Sequence, residues 1–215
     1  MPYGLIVFDW DGTLIDSAAT IVECIREASR DIGLDVPDRA RASHVIGLGL
    51  DDSLRIAVPE LPRERYAEFV DLYRRHFLAR EASMRPFPGV GVLLRKLAAN
   101  HLLAIATGKS RKGLERSLET SGLKPFFTAS RCADETNPKP HPAMLRELMQ
   151  ELAVAPERAL MVGDTSHDLE MAKGAGVDAV AVTYGAHPEQ ALRALGPRGC
   201  VASVEELDRW LQRHA

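Results

Sequence analysis

Residues 4–14, Gly-Leu-Ile-Val-Phe-Asp-Trp-Asp-Gly-Thr-Leu, decide how the rest of the chain is read. Gly4 to Asp9 is a short apolar run. Such a run is consistent with a strand buried on both faces, the state of strands inside a parallel sheet. It ends in two carboxylates, Asp9 and Asp11, and Gly12 lets the chain turn directly after them. Ser17 then stands where a helix N-cap is expected, ahead of the stripe Ile21, Val22, Ile25, Ala28 and Ile32, with Gly33 as the stop.

Working outward, the pattern changes and then returns. From residue 17 to 82 helical periodicities recur at Arg39–Ile46, Asp51–Val58 and Pro62–Arg80, with no strand pattern between them. After Pro86 and Pro88 helix and strand alternate: helix Val90–Ala99, strand Leu102–Ala106, helix Arg111–Ser121, strand Phe127–Ser130 and helix Pro142–Leu152. Strand Ala159–Val162, helix Asp168–Ala175, strand Ala179–Val182 and helix Val204–Gln212 complete the series. Alternation of this kind predicts an α/β fold, a doubly wound, Rossmann-like parallel sheet covered on both faces by right-handed crossovers. The expected organisation is a core of residues 1–16 and 83–215 interrupted by an all-helical insertion over 17–82.

A parallel sheet gathers its strand ends along one edge, where ligands bind. Strand one ends in Asp9-Trp10-Asp11-Gly12-Thr13, a later one in Thr107-Gly108-Lys109, and another in Gly163-Asp164-Thr165-Ser166-His167-Asp168. Asn137-Pro138-Lys139-Pro140 fixes a lysine between two prolines just before a helix. Several carboxylates in one dry place repel each other, and a hard divalent cation is the usual compensation; oxygen ligands favour Mg²⁺. Asp164 and Asp168, four apart, share a helix face if the helix starts early. Thr107, Gly108 and Lys139 add donors and positive charge suited to phosphoryl oxygens.

These four motifs, in this order and spread over residues 5 to about 185, resemble the haloacid dehalogenase-like (HAD) hydrolases. The insertion, together with Met84-Arg85-Pro86-Phe87-Pro88-Gly89-Val90, resembles the helical cap of the phosphoglycolate phosphatase-like branch. The resemblance implies a Mg²⁺-dependent phosphatase acting on a small phosphorylated metabolite, with 2-phosphoglycolate the leading substrate. It implies that Asp9 is the nucleophile, that Asp11 is the general acid and then base, and that Thr107 and Gly108 bind the phosphoryl group. Lys139 would offset charge on phosphate and nucleophile. Asp9, the Asp11 carbonyl and Asp164 would hold the metal, with Asp168 anchoring the groups around it.

Other reactions share this frame. A dehalogenase lacks the second aspartate, so Asp11 counts against it. A β-phosphoglucomutase-like transferase and a pyrophosphatase keep the same core and stay open, as does a non-catalytic interaction protein, although that last reading predicts a lost nucleophile or acid. Within the insertion, Gly47-Leu48-Gly49 reads equally as a specificity loop or a helix break, while His44 and Arg41 read as an exposed face. Lys109 is expected near the site with its side chain in solvent, Tyr184-Gly185 at the pocket rim or in a plain turn, His167 on the surface, and Trp10 in packing.

Composition sets the outer bounds. Forty-six per cent of the 215 residues are hydrophobic, enough for a sizeable core. The net charge of -3 provides no basic field for nucleic acid or an acidic membrane. Cys24, Cys132 and Cys200 form neither an even set nor a Cys-x-x-Cys pair, which argues against a disulfide framework or zinc site and for small, largely buried apolar roles. No basic leader or membrane-length apolar run is present in the sequence, so a reducing cytoplasm is the expected setting. Oligomeric state leaves no signal.

Overall fold

The computed structural model describes residues 3–215. Six parallel strands form one sheet in the order β3-β2-β1-β4-β5-β6. They are β1 (Leu5–Phe8), β2 (Leu102–Thr107), β3 (Ala129–Cys132), β4 (Ala159–Gly163), β5 (Asp178–Val182) and β6 (Gly199–Val201). Chain order reverses between β1 and β4, the switch point at which open sheets of this type bind ligands.

The apolar run 5–8 is central, and every residue in it is buried. The two-residue strand period sends Ile6 and Phe8 to one face with Leu103, Ile105, Leu160 and Val162. Leu5 and Val7 face the other way, with Ala104, Ala106 and Met161. Helices α5 (Val90–Leu97), α6 (Arg111–Ser121) and α10 (Val204–His214) cover the first face, and α7 (Ala143–Glu151) and α8 (Ser166–Ala175) the second; α9 (Glu189–Arg193) precedes β6. A separate apolar cluster spans Ile21 to Phe77 and joins α1 (Ala18–Asp31), α2 (Arg39–His44), α3 (Leu50–Ala57) and α4 (Tyr66–Glu81).

Three details differ from the sequence reading. Strand β3 starts two residues later than expected, because Lys124–Phe126 forms a 3-10 turn and Phe127 and Thr128 lead in, with Thr128 N–H donating to the Leu103 carbonyl at 2.8 Å. The short pair α9 and β6 was not anticipated; β6 has three residues at the sheet edge, too few for a period to show. Ser17 occupies the N-cap position of α1 without making a side-chain cap bond, and its hydroxyl has a different partner, described below.

Candidate active site

Asp9 follows directly on β1 and is essentially inaccessible, 1% exposed. Its Oδ1 lies 2.6 Å from Lys139 Nζ, while Oδ2 has no hydrogen-bond partner. Lys139 is fully buried and also lies 2.7 Å from Asp168 Oδ1, an ion-pair contact without hydrogen-bond alignment. The other Asp168 oxygen accepts from the Thr165 N–H at 3.0 Å and hydroxyl at 2.7 Å, closing a capping box that starts α8. Asp168 is therefore fixed at both ends, and through Lys139 it fixes Asp9.

Asp164 sits at the end of β4 with both oxygens engaged: Oδ1 accepts from the Thr13 hydroxyl at 2.7 Å and Oδ2 from the Ala186 N–H at 2.7 Å. Both glycines that frame it are sterically required. A Cβ on Gly12, whose φ is +83°, would fall 2.3 Å from Asp164 Oδ2, and one on Gly185 would fall 2.2 Å from it. Tyr184 is committed to the same loop, donating to the Thr13 carbonyl at 3.1 Å and packing edge-on against Phe87.

Oxygens of Asp9, Asp164 and Asp168 lie within 4.8 Å of one another. Burial, then Asp168, pushes the Asp164 carboxyl up to about 7 against the pull of its two donors. Burial and the neighbouring carboxylates likewise push Asp9 well up, opposed by Lys139. Burial works to lower the Lys139 ammonium, but Asp168 and Asp9 more than offset it and keep the lysine charged. Two carboxylates, Asp9 and Asp168, thus share one buried ammonium, the Asp164 carboxylate lies beside them without contacting it, and a buried Asp9 oxygen remains unpaired. An all-oxygen set of this kind, with a lone acceptor facing inward, fits a hard divalent cation.

Asp11 lies two residues beyond Asp9 and is held from two sides. Ser17 Oγ donates to its Oδ1 at 2.7 Å, and Lys109 Nζ approaches its Oδ2 at 3.0 Å. This explains the missing cap bond: Ser17 holds Asp11 in place of the α1 N-terminus. Lys109 departs from the sequence expectation of a solvent-facing chain, with its side chain only 11% exposed and Nζ 4.6 Å from the Phe77 ring centre. Thr107 is buried and accepts the Lys109 N–H at 3.2 Å, which leaves its hydroxyl proton free to donate.

Asp9, Asp11, Thr107, Gly108 and Lys109 line one cavity of about 270 Å³, closed on the opposite side by residues of α1 and α4 and by Val45–Leu48. The Gly47-Leu48-Gly49 segment meets the sheet edge there. A Cβ on Gly108 would lie 2.6 Å from the Gly47 carbonyl, and one on Gly49 would lie 2.7 Å from Pro138. The loop is both a break between α2 and α3 and part of the wall. Arg41 and His44 are not among the lining residues.

His167 is not on the surface, as the sequence suggested. It is 5% exposed and donates through Nε2 to the His44 carbonyl at 2.7 Å. His187 accepts from the Ser166 N–H at 3.0 Å and faces the same carbonyl at 3.2 Å. The pair ties the end of α2 to the start of α8. Its partners come from distant segments, so no local signal could have revealed it. Trp10 is packed as expected and also donates to Ser117 at 2.8 Å. Burial pushes the thiols of Cys24 and Cys132 up to about 11 and about 12, leaving them inert packing groups.

The fold and this carboxylate–lysine centre define a class, and comparison with known proteins agrees: residues 6–182 match the model of the haloacid dehalogenase-like hydrolases, and the chain belongs to that family. "Probable phosphatase IndB" of Dickeya dadantii is 36% identical over 94% of this chain and 91% of its own length. A phosphoglycolate phosphatase of Yersinia pestis is 32% identical over 94% and 90%. A solved structure described as a predicted phosphatase from Clostridium acetobutylicum superposes with a TM-score of 0.86 at 26% identity, covering 99% of this chain and all of that one.

Proposed function

We propose that the protein is a Mg²⁺-dependent phosphatase that hydrolyses a small phosphate monoester through an aspartyl-phosphate on Asp9. The single observation that carries this reading is the unpaired, buried Asp9 Oδ2 beside Lys139 and within reach of two further carboxylates. In this reading residues 17–82 act as a cap over a core of residues 1–16 and 83–215.

Asp9 Oδ2 attacks phosphorus and the ester P–O bond breaks, with Asp11 giving its proton to the departing alkoxide oxygen. Asp11 then takes a proton from water, which attacks the phosphoryl group and releases phosphate and free Asp9. Lys139, the Thr107 hydroxyl and the Gly108 backbone surround the phosphoryl oxygens and stabilise the charge they gain. Ser17 and Lys109 orient Asp11. Asp9, the Asp11 carbonyl and Asp164 would hold Mg²⁺, which supplies charge neutralisation for carboxylates and phosphate together. Asp168 keeps Lys139 and the start of α8 in register.

The intact Asp9–Asp11 pair favours an enzyme over an interaction protein and hydrolysis or transfer over dehalogenation. Trapping tests the reading directly. Acid-quenched protein incubated with Mg²⁺ and a phosphate ester is expected to carry one phosphoryl group on the peptide containing Asp9. A phosphorylated peptide elsewhere, or none during active turnover, would contradict it. The likeness to a phosphoglycolate phosphatase makes 2-phosphoglycolate the first natural ester to compare.

A further inference from the structure

The cavity above Asp9 is built from two unlike halves. Its floor is the polar set already described, while its opposite wall is mainly apolar. Phe69, Tyr73 and Phe77 project from α4 at four-residue spacing, so they share one helix face, and Ile21 and Ile25 repeat that spacing on α1. Tyr73 and Phe77 stack with ring centres 5.9 Å apart.

The cations among the lining residues already have carboxylate partners. Lys109 is 3.0 Å from Asp11, Arg74 is 3.2 Å from Asp71, and Arg116 is 3.2 Å from Glu81. A small carboxylated ester would place its second anion against this wall, where desolvation without a partner is costly. An apolar group would gain there instead. The volume of about 270 Å³ exceeds the ~150 Å³ of an apolar cavity that takes up benzene.

We propose that this wall selects phosphate monoesters whose leaving alcohol is uncharged and apolar, up to the size of a phenyl or hexyl group, over small carboxylated esters such as 2-phosphoglycolate. The proposal rests on the phosphatase reading for the placement of the phosphoryl group at Asp9, and it names the class of leaving group. The Phe69, Phe77, Ile21 and Ile25 side chains also pack the helical cluster, so they serve as structure and as wall together.

Alkylphosphonates, which cannot be hydrolysed, test it by calorimetry on the whole chain with Mg²⁺. Affinity is expected to rise from ethyl- through butyl- to hexylphosphonate by about fourfold per methylene. Phosphonoacetate is the competitor, because the exposed pair of Arg74 and Asp71 is of a kind that opens readily. A flat series, or phosphonoacetate binding more tightly than hexylphosphonate, would overturn the proposal. Val70→Asn, at a half-buried wall position away from the reacting groups, is expected to weaken hexylphosphonate by roughly fivefold and leave ethylphosphonate within about twofold; equal losses on both would also overturn it. Phosphate release separates the two readings. Chain-length-dependent binding with no release from any ester would sink the phosphatase reading and keep the ligand class. Release from ethyl phosphate with a flat phosphonate series would do the reverse.

Discussion

The floor and the wall of one cavity differ in how they are made. The floor consists of short polar segments placed at strand ends by β1 and β2, with Asp9, Asp11 and Thr107 each held by one or two specific partners. The wall consists of apolar residues on α1 and α4 with no directional bonds. A floor of this type tolerates little change, since losing one partner strands a buried charge. The wall can exchange one apolar side chain for another at modest cost. In the proposed reading, chemistry and selectivity fall to parts of the chain that can vary separately.

The largest effect should come from the floor. Asp9→Asn is expected to lower turnover by about 10³-fold or more, as loss of a nucleophile does, while calorimetry still shows alkylphosphonate binding. Near-normal turnover would remove Asp9 from its role and dissolve the distinction between floor and wall.

Lys139→Met strands Asp9 and Asp168 together. Urea unfolding in EDTA is expected to show a loss of about 3–5 kcal/mol. A change below about 1 kcal/mol would mean the carboxylates are not held by this ammonium.

Ser17→Ala sharpens the comparison from the boundary, because Ser17 begins a wall helix yet serves the floor. A hydrogen bond to a charged group is worth enough to cost about tenfold in kcat. The loss should be greater for butyl phosphate than for nitrophenyl phosphate, whose leaving oxygen needs little help from a proton on Asp11. Equal losses for both would indicate a general structural role.

The smallest effect concerns the joint between the two regions. Burial, then His167, pushes His187 down to about 4 from its ordinary 6.5. A histidine lowered on folding binds its proton more weakly in the folded state. Its contribution to stability is therefore complete above about pH 6.5 and lost as pH falls towards 4. Thermal unfolding between these values should show wild type losing a few degrees more than His187→Gln. Parallel curves would exclude His187 as the source.

The same contrast explains how much could be read from the sequence. Asp9, Asp11, Thr107, Lys139 and Asp164 each follow or end an apolar run or stand between prolines, so local pattern and strand-end geometry located them together. The sheet was legible for the same reason, apart from three-residue β6, which is too short to carry a period. Lys109 was expected near the site and lines the cavity, but the direction of its side chain was not legible because its partners, Asp11 and Phe77, lie far away in sequence. His167 was misplaced because the His44 carbonyl that receives it belongs to α2. The apolar wall was visible only as helix periodicity, which reads the same whether a face packs against protein or encloses a ligand.

The most direct test of the central claim is phosphate release from butyl phosphate by the wild-type protein, measured with Mg²⁺ and again with EDTA. Steady release with Mg²⁺ that stops in EDTA and returns on adding Mg²⁺ back is the predicted result. Equal release in EDTA, or none with Mg²⁺ from a folded protein that binds butylphosphonate, would contradict a metal-dependent phosphatase built on Asp9.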